Sequence, residues 1–461
     1  MNTKTDLLRG SIWKVLILFM IPLFISRIFQ QLYNTVDTMI VGNILGEEAL
    51  AAMGASSAVY ELLVGFALGI GNGLSIVAAR SFGTGDKRLL KRSVAGSLVI
   101  GLGITAAIML LSRVFLMPLL RILNTPGEII DEAYSYVGLL TLFAGVMFAY
   151  NLFAGLLRAI GNSVVPLIFL VLSAVLNIFL DLLFITQFHM GIRGAAVATV
   201  LAQGISAVLC LVYIAVKCRI LIPTREHFRF DRDLYFELLG QGFSMGFMMA
   251  IVSTGTVILQ SAINGLGTLV IAGHTAARKL NSFCMMPVSV TGMALSTFVS
   301  QNRGADQGER IRKGVFCANM ISLFWGVVLM AILFPGAPAL VSAMSGSKET
   351  VVLDIGTNYM RFNAPFYAVL GILFNLRYSL QGLGRKLIPL VSSVIEFFGK
   401  ILFVILVIPA IGYPGVIICE PVIWCLMCLQ LLYSFYQNPY IRQFGRRAKQ
   451  NRKICRKPEK K

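Results

Sequence analysis

Apolar residues fall in long unbroken blocks separated by short polar connectors. Twelve blocks stand out, at about 14–41, 50–79, 93–123, 132–157, 164–187, 192–216, 235–262, 270–301, 313–341, 351–380, 387–409 and 413–437. Each is long enough for a helix to cross a hydrocarbon core, which takes about 20 residues. Membrane strands would leave alternating segments of about ten residues, which this chain does not show. The pattern predicts an all-α integral membrane protein of twelve transmembrane helices. The first block contains Pro22 and several polar residues and has no small-residue cleavage site, so it is expected to be the first span rather than a signal peptide.

The blocks also repeat. Asn43-Ile-Leu-Gly46 returns 221 residues later as Asn264-Gly-Leu-Gly267, and Gly83, Gly191 and Gly194 pair with Gly304, Gly412 and Gly415 at the same offset. Tyr136, Gly161 and Pro166 pair with Tyr359, Gly384 and Pro389 at 223, which needs only small length changes in two loops. Six crossings return the chain to its starting side, so the repeats are parallel, with a substrate path expected between them. The predicted organisation is an N-terminal lobe at 1–216, a basic connector at 217–234, a C-terminal lobe at 235–440 and a basic tail at 441–461.

Composition agrees. Hydrophobic residues make up 57% and charged residues 13%, where a water-soluble domain carries about a quarter charged. A net charge of +19 suggests nucleic acid until its distribution is read. With the amino terminus inside, basic residues collect in the cytoplasmic loops and the tail. The exceptions are Arg27, Arg113, Arg121, Arg193, Arg278, Lys279, Lys348, Arg361 and Lys400. This bias predicts a multi-pass plasma-membrane protein with both termini cytoplasmic and no nucleic-acid role. The tail is expected to lie on anionic lipid head groups. The eight cysteines form no framework, and Cys425-x-x-Cys428 sits in an apolar span without a second pair or a nearby histidine. Neither a metal site nor a cofactor is expected, beyond a transported ion. Gly69-Ile-Gly71-Asn-Gly73 lacks the lysine and the strand–helix context of a phosphate loop, and close helix packing accounts for it better.

The polar residues inside the spans are the candidate chemistry. Ser26, Gln30, Tyr33 and Asp37 share one face of the first helix, with Asn34 beside them. Ser173, Asn177 and Asp181 form a face of the fifth span, and Thr199, Gln203 and Ser206 one of the sixth. At about 1.5 Å per residue, Asp37, Asp181 and Thr199 all fall in the outer half of the bilayer. Hydrogen bonding between helices, at about 0.6 kcal/mol per contact, accounts for the serines. It does not account for two aspartates, since asparagine would bond helices without the cost of a charge. Two carboxylates, an amide oxygen and a hydroxyl at one level suit a proton or a small cation. The second half has Ile258, Lys400 and Val404 opposite Asp37, Asn177 and Asp181, so the ionisable site belongs to one lobe.

These residues resemble the multidrug and toxic compound extrusion (MATE) family over nearly the whole chain. The likeness rests on Gln31-Leu-Tyr-Asn-Thr-Val-Asp37 with Val41-Gly42 after it, on Gly83-Thr-Gly85-Asp86, and on Gln301-Asn-Arg-Gly304-Ala305. Asn177-x3-Asp181 followed by Thr199 is similar to the cation site of the DinF-type branch. The resemblance implies that Gln30, Tyr33, Asp37, Asn151, Asn177, Asp181 and Thr199 line that site, and that the first helix bends at Pro22. It also implies a secondary antiporter, not an enzyme, which exports amphipathic, often cationic compounds in exchange for H+ or Na+. Glu61 and Asn34 are candidates for substrate contact, with pairing to an arginine such as Arg27 the alternative for Glu61. Glu396, Lys400 and Glu420 are expected to be a structural ion network in the second half. The alternative function is a lipid-linked saccharide flippase, which would want arginines in its cavity, with Arg278, Lys279 and Arg361 as the candidates. Small-molecule substrates and membrane lipids are the expected partners, and the chain is expected to be a monomer.

Overall fold

The computed structural model describes residues 4–123 and 125–444, so the basic tail beyond residue 444 lies outside the described residues. In chain order the helices are α1 Ile12–Leu45, α2 Glu47–Gly83, α3 Lys87–Ile122, α4 Ile130–Leu142, α5 Ala144–Ala159, α6 Val164–Leu182 and α7 Ile192–Lys217. After the connector come α8 Arg232–Asn264, α9 Thr268–Gly304, α10 Gly308–Ser345, α11 Thr350–Asn363, α12 Tyr367–Gly382, α13 Leu387–Leu402, α14 Ile408–Ile411 and α15 Tyr413–Tyr436. Among the described residues there is no strand.

Ten helices are long and apolar enough to cross a membrane, and α4 with α5 makes an eleventh span bent by 48°. The pair α11 and α12, joined by a short turn at Ala364–Phe366, is the repeat counterpart of α4 and α5 and completes twelve. The chain is thus a twelve-helix protein of two six-helix lobes built on an internal parallel repeat. Glycines kept between the repeats sit where the backbone turns left-handed. Gly46 and Gly267 (φ 89° and 106°) open α2 and α9, while Gly191 and Gly412 (φ 59° and 69°) open α7 and α15. A side chain is strained in that conformation, so glycine is held there. At the α2–α3 turn the Asp86 carboxylate caps α3 by accepting from the backbone N–H groups of Arg88 and Leu89 at 2.8 and 3.2 Å.

Chain order assigns α8 to the second repeat, but packing assigns its first part to the first compact unit. One unit comprises residues 1–6 and 18–257, the other residues 7–17 and 258–461. One glycine seam explains the placement of α8. Gly69 and Gly73 on α2 meet Gly242 and Gly246 on α8, a Gly-x3-Gly pair facing a Gly-x3-Gly pair. The Arg80–Glu237 ion pair and Arg92–Asp231 at 2.9 Å tie down the same end of α8. In the other unit, Arg310 donates to the carbonyls of Leu7, Arg9 and Gly10, and Asn302 donates to Leu7.

A methyl group at Gly73 would lie 2.5 Å from the Gln241 carbonyl oxygen and 2.7 Å from the Gly242 Cα. Backbone atoms cannot swing aside as a side chain does. Gly73→Ala is therefore expected to cost about 1–3 kcal/mol, as overpacking does, and to lower the Tm in detergent. Gly65→Ala, on the same helix with nothing within 4 Å of its new methyl, should leave the Tm nearly unchanged.

Candidate functional site

The site forms where α1, α6 and α7 come together. Asp37, Asn177, Asp181 and Thr199 are all nearly inaccessible, at 6%, 1%, 0% and 6% exposure. The Asp37 and Asp181 carboxyls face each other closely enough to interact directly. The Asn177 amide joins Asp181 to α7. In the orientation that satisfies both ends, its nitrogen donates to Asp181 Oδ2 at 3.1 Å and its oxygen accepts from the Thr199 backbone N–H at 3.2 Å. The opposite orientation instead donates to Thr199 Oγ1 at 3.3 Å. The Tyr33 and Thr199 hydroxyls share a hydrogen bond.

Beside this pair lies a cavity of about 30 Å³ lined by Gln30, Tyr33, Asn151, Asn177, Thr199 and Gln203, among others. It has room for about one water-sized particle. Asn151 reaches it from α5, with its amide fixed on the Met147 carbonyl at 2.8 Å. Asn34 and Glu61 lie outside it, both on exposed faces. Arg27 donates to Gln30 Oε1 at 3.0 Å. Ser26 and Ser206 bond helix backbone, at the Pro22 and Phe169 carbonyls respectively.

Two facing carboxylates contain no donor. At about 4 Å two unit charges repel by about 4 kcal/mol near a protein surface. A shared proton or a bound cation removes that repulsion. Asp37 Oδ1, Asp181 Oδ1 and Gln203 Oε1 are each buried with no hydrogen-bond partner. Buried acceptors of this kind are costly, and all three are oxygen atoms, the donor type that hard cations and protons take. Among the described residues no group of three or more His, Cys, Asp or Glu is placed to hold a metal ion.

Periodicity identified Tyr33 but not the other tyrosines around the pair. Tyr60 and Tyr136 both stand close enough to act electrostatically on the buried groups, and the Tyr60 hydroxyl rests on the Met147 sulfur at 3.5 Å. A signal for Tyr136 did exist, because its repeat partner Tyr359 also stands at an acid. In the second lobe the Tyr359 hydroxyl donates to Glu420 Oε2 at 2.6 Å, and Arg278 donates to Glu420 Oε1 at 3.3 Å. His274 packs edge-on against Tyr359 and meets the Tyr413 hydroxyl at 3.1 Å. Separately, Glu396 lies between Lys400 at 3.0 Å and Arg377 at 3.7 Å. Glu396 and Glu420 therefore both have cationic partners, whereas no ion pair to Asp37 or Asp181 is present among the described residues.

Comparison with known proteins decides the family. The MatE family model matches residues 22–183 and 245–406, two stretches of equal length in the register of the internal repeat. The chain belongs to the MatE family. MatE proteins are transporters rather than enzymes. A relative from Bacillus subtilis, the probable multidrug resistance protein YpnP, is 30% identical over 401 residues, covering 85% of this chain and 87% of its own. Another from the same organism, YoeA, is 26% identical over 439 residues, covering 93% and 94%. Among solved structures, a MATE protein in a bent conformation superimposes with a TM-score of 0.87 at 23% identity, covering 96% of this chain and 99% of that one. An outward-facing multidrug resistance MATE transporter gives 0.85 at 23% identity, covering 94% and 97%. At that identity the structural likeness speaks for the fold.

Proposed function

We propose that this MatE protein is a multidrug efflux transporter of the plasma membrane, with both termini cytoplasmic, which exports amphipathic, cationic organic compounds against H+ or Na+. The observation that carries the reading is the pair of buried aspartates in contact with each other and short of donors. The relatives support the substrate class, since several are named as multidrug resistance or multidrug export proteins. A cation entering between Asp37 and Asp181 draws α1, α6 and α7 together, and its departure leaves two like charges that push them apart. The site then has two discrete arrangements, as alternating access requires.

The first helix is built to respond. Pro22 brings no N–H to the helix, so the Leu18 carbonyl loses its usual donor. The boundary between the two compact units falls at that same turn. Ser26 bonds the Pro22 carbonyl at 2.7 Å. Binding at Asp37, four turns further on, changes the bend at this weak turn.

A relative from Shewanella oneidensis is described as an FAD transporter, at 24% identity. A flavin nucleotide or a pyrophosphate-linked sugar would require arginines free to meet phosphate in the transport path. Of the three candidates Arg278, Lys279 and Arg361, Arg278 is instead paired with Glu420. That pairing favours cationic cargo.

The test is efflux of a fluorescent organic cation from vesicles, with proton and sodium gradients imposed separately. One gradient should drive export and the other should not. Because two carboxylates share the site, two cations are taken up per monovalent substrate and the exchange is electrogenic. Clamping the potential with potassium and valinomycin at fixed ion gradients should then change the final accumulation, since 100 mV contributes about 2.3 kcal/mol per charge moved. Accumulation indifferent to the potential would mean one-for-one exchange. Export driven by neither ion would remove the antiport reading.

A further inference from the structure

Three basic residues that break the charge bias of the chain lie in two grooves related by the internal repeat. One groove, of about 290 Å³, lies among α3, α4 and α7 and contains Arg113, Arg193, Ser135, Gly138 and Leu139. The other, of about 670 Å³, lies among α10, α11 and α15 and contains Arg361, Asn358, Phe334, Phe362 and Pro414. Ser135, Gly138 and Leu139 are the repeat counterparts of Asn358, Arg361 and Phe362, while Arg113 and Arg193 are those of Phe334 and Pro414. The two lobes thus keep a groove at one place in the fold and supply its positive charge from different positions. A position fixed by packing alone would not require an arginine in each.

The grooves share their chemistry. Arg361 is anchored through Nε on the Phe334 carbonyl at 2.9 Å, and Arg193 through Nε on the Ser135 hydroxyl. Anchoring at Nε leaves the terminal guanidinium nitrogens to meet another group. Among the described residues, none of the three arginines has a carboxylate partner, and neither groove has an acidic residue in its lining. Exposed apolar side chains line both grooves: Tyr134 at the first, Phe334 and Phe362 at the second. In a membrane-spanning chain, exposed apolar surface of this kind faces acyl chains. An unpaired guanidinium within such a surface is costly unless it meets an anion. Each groove lies in the half of its lobe opposite the amino terminus, beside the second half of α3 or α10 and the first turn of α7 or α15.

We propose that the two grooves are binding sites for anionic phospholipid in the leaflet opposite the amino terminus, the arginines holding the phosphate and the apolar flanks the acyl chains. Guanidinium suits phosphate because its planar fork offers parallel donors. A free phosphate would use the arginines and leave the apolar flanks idle, so the lipid is the occupant that uses the whole groove.

The experiment is native mass spectrometry of the full chain in detergent, titrated with phosphatidylglycerol. Wild type should retain phosphatidylglycerol more strongly than phosphatidylcholine. Arg361→Gln, and separately Arg113→Gln with Arg193→Gln, should each weaken retention about 5-fold per arginine removed, which corresponds to the ~1 kcal/mol contributed by one basic residue at a lipid surface. Inorganic phosphate should not displace the lipid. Unchanged retention in both variants, equal retention of phosphatidylcholine, or full displacement by inorganic phosphate would each overturn the proposal. Because a variant can fail to fold, wild-type protein should also be cross-linked with a photoreactive phosphatidylglycerol. Adducts are expected within residues 111–142 and 334–366, and adducts confined to other segments would equally reject the sites.

Discussion

Asp37→Asn and Asp181→Asn should each abolish uphill export while leaving a folded protein that still binds its substrate. Asparagine keeps the shape of the side chain and supplies a donor to the facing carboxyl, so the contact between α1 and α6 persists. What it removes is one of the two charges that a cation neutralises. The expected effect on accumulation is complete loss, because without a titratable or cation-binding pair no ion gradient is coupled to the substrate. Export at the wild-type rate in both variants would move the ion site elsewhere, with Glu420 the next candidate. Comparing accumulation with equilibrium binding separates lost coupling from lost affinity, and only the first should change.

The largest stability effect is expected at Glu396, in the lobe opposite the proposed ion site. Its carboxylate lies between Lys400 and Arg377, whose side chains are 4% and 6% exposed. Glu396→Gln would remove the anion that stands between two buried cations. Breaking a buried ion pair from one side costs about 3–5 kcal/mol, so Tm and expression should fall sharply. In protein rescued by low growth temperature, coupled export per folded molecule should persist. Loss of export at normal stability would instead make Glu396 a coupling residue.

The comparison of Asp181 with Glu396 also shows how far sequence reading reaches. Asp37, Asn177, Asp181 and Thr199 were legible because unpaired polar residues recur at helical spacing on three apolar spans, and their equal depth implied a single site. Lys400 with Glu396 was legible because the two stand four residues apart on one helix. Arg377 was not. Chain order counts it among the cytoplasmic basic residues, yet it is buried on α12 and pairs with α13. Tyr60 and Tyr136 were also missed, because a tyrosine in an apolar span is ordinarily core. The glycines of α2 announced a close helix contact without naming the partner. Sequence separation hides which helix lies across the seam, so the docking of α8 against α2 could only come from the fold. Among the basic exceptions, Arg278 and Lys400 are paired within the second lobe, Arg113, Arg193 and Arg361 share the two grooves, and nothing in the structure explains Lys279.

The central claim is that one buried aspartate pair couples ion movement to substrate movement, and coupling is reciprocal. Proteoliposomes prepared with no ion gradient and given a substrate gradient test it directly, with internal pH and sodium read by indicator dyes. As substrate runs downhill through the wild-type protein, protons or sodium should be driven the opposite way, and in Asp181→Asn substrate exchange should continue with no ion movement. Ion flux that survives in Asp181→Asn, or wild-type substrate flux that moves neither ion, would contradict the account.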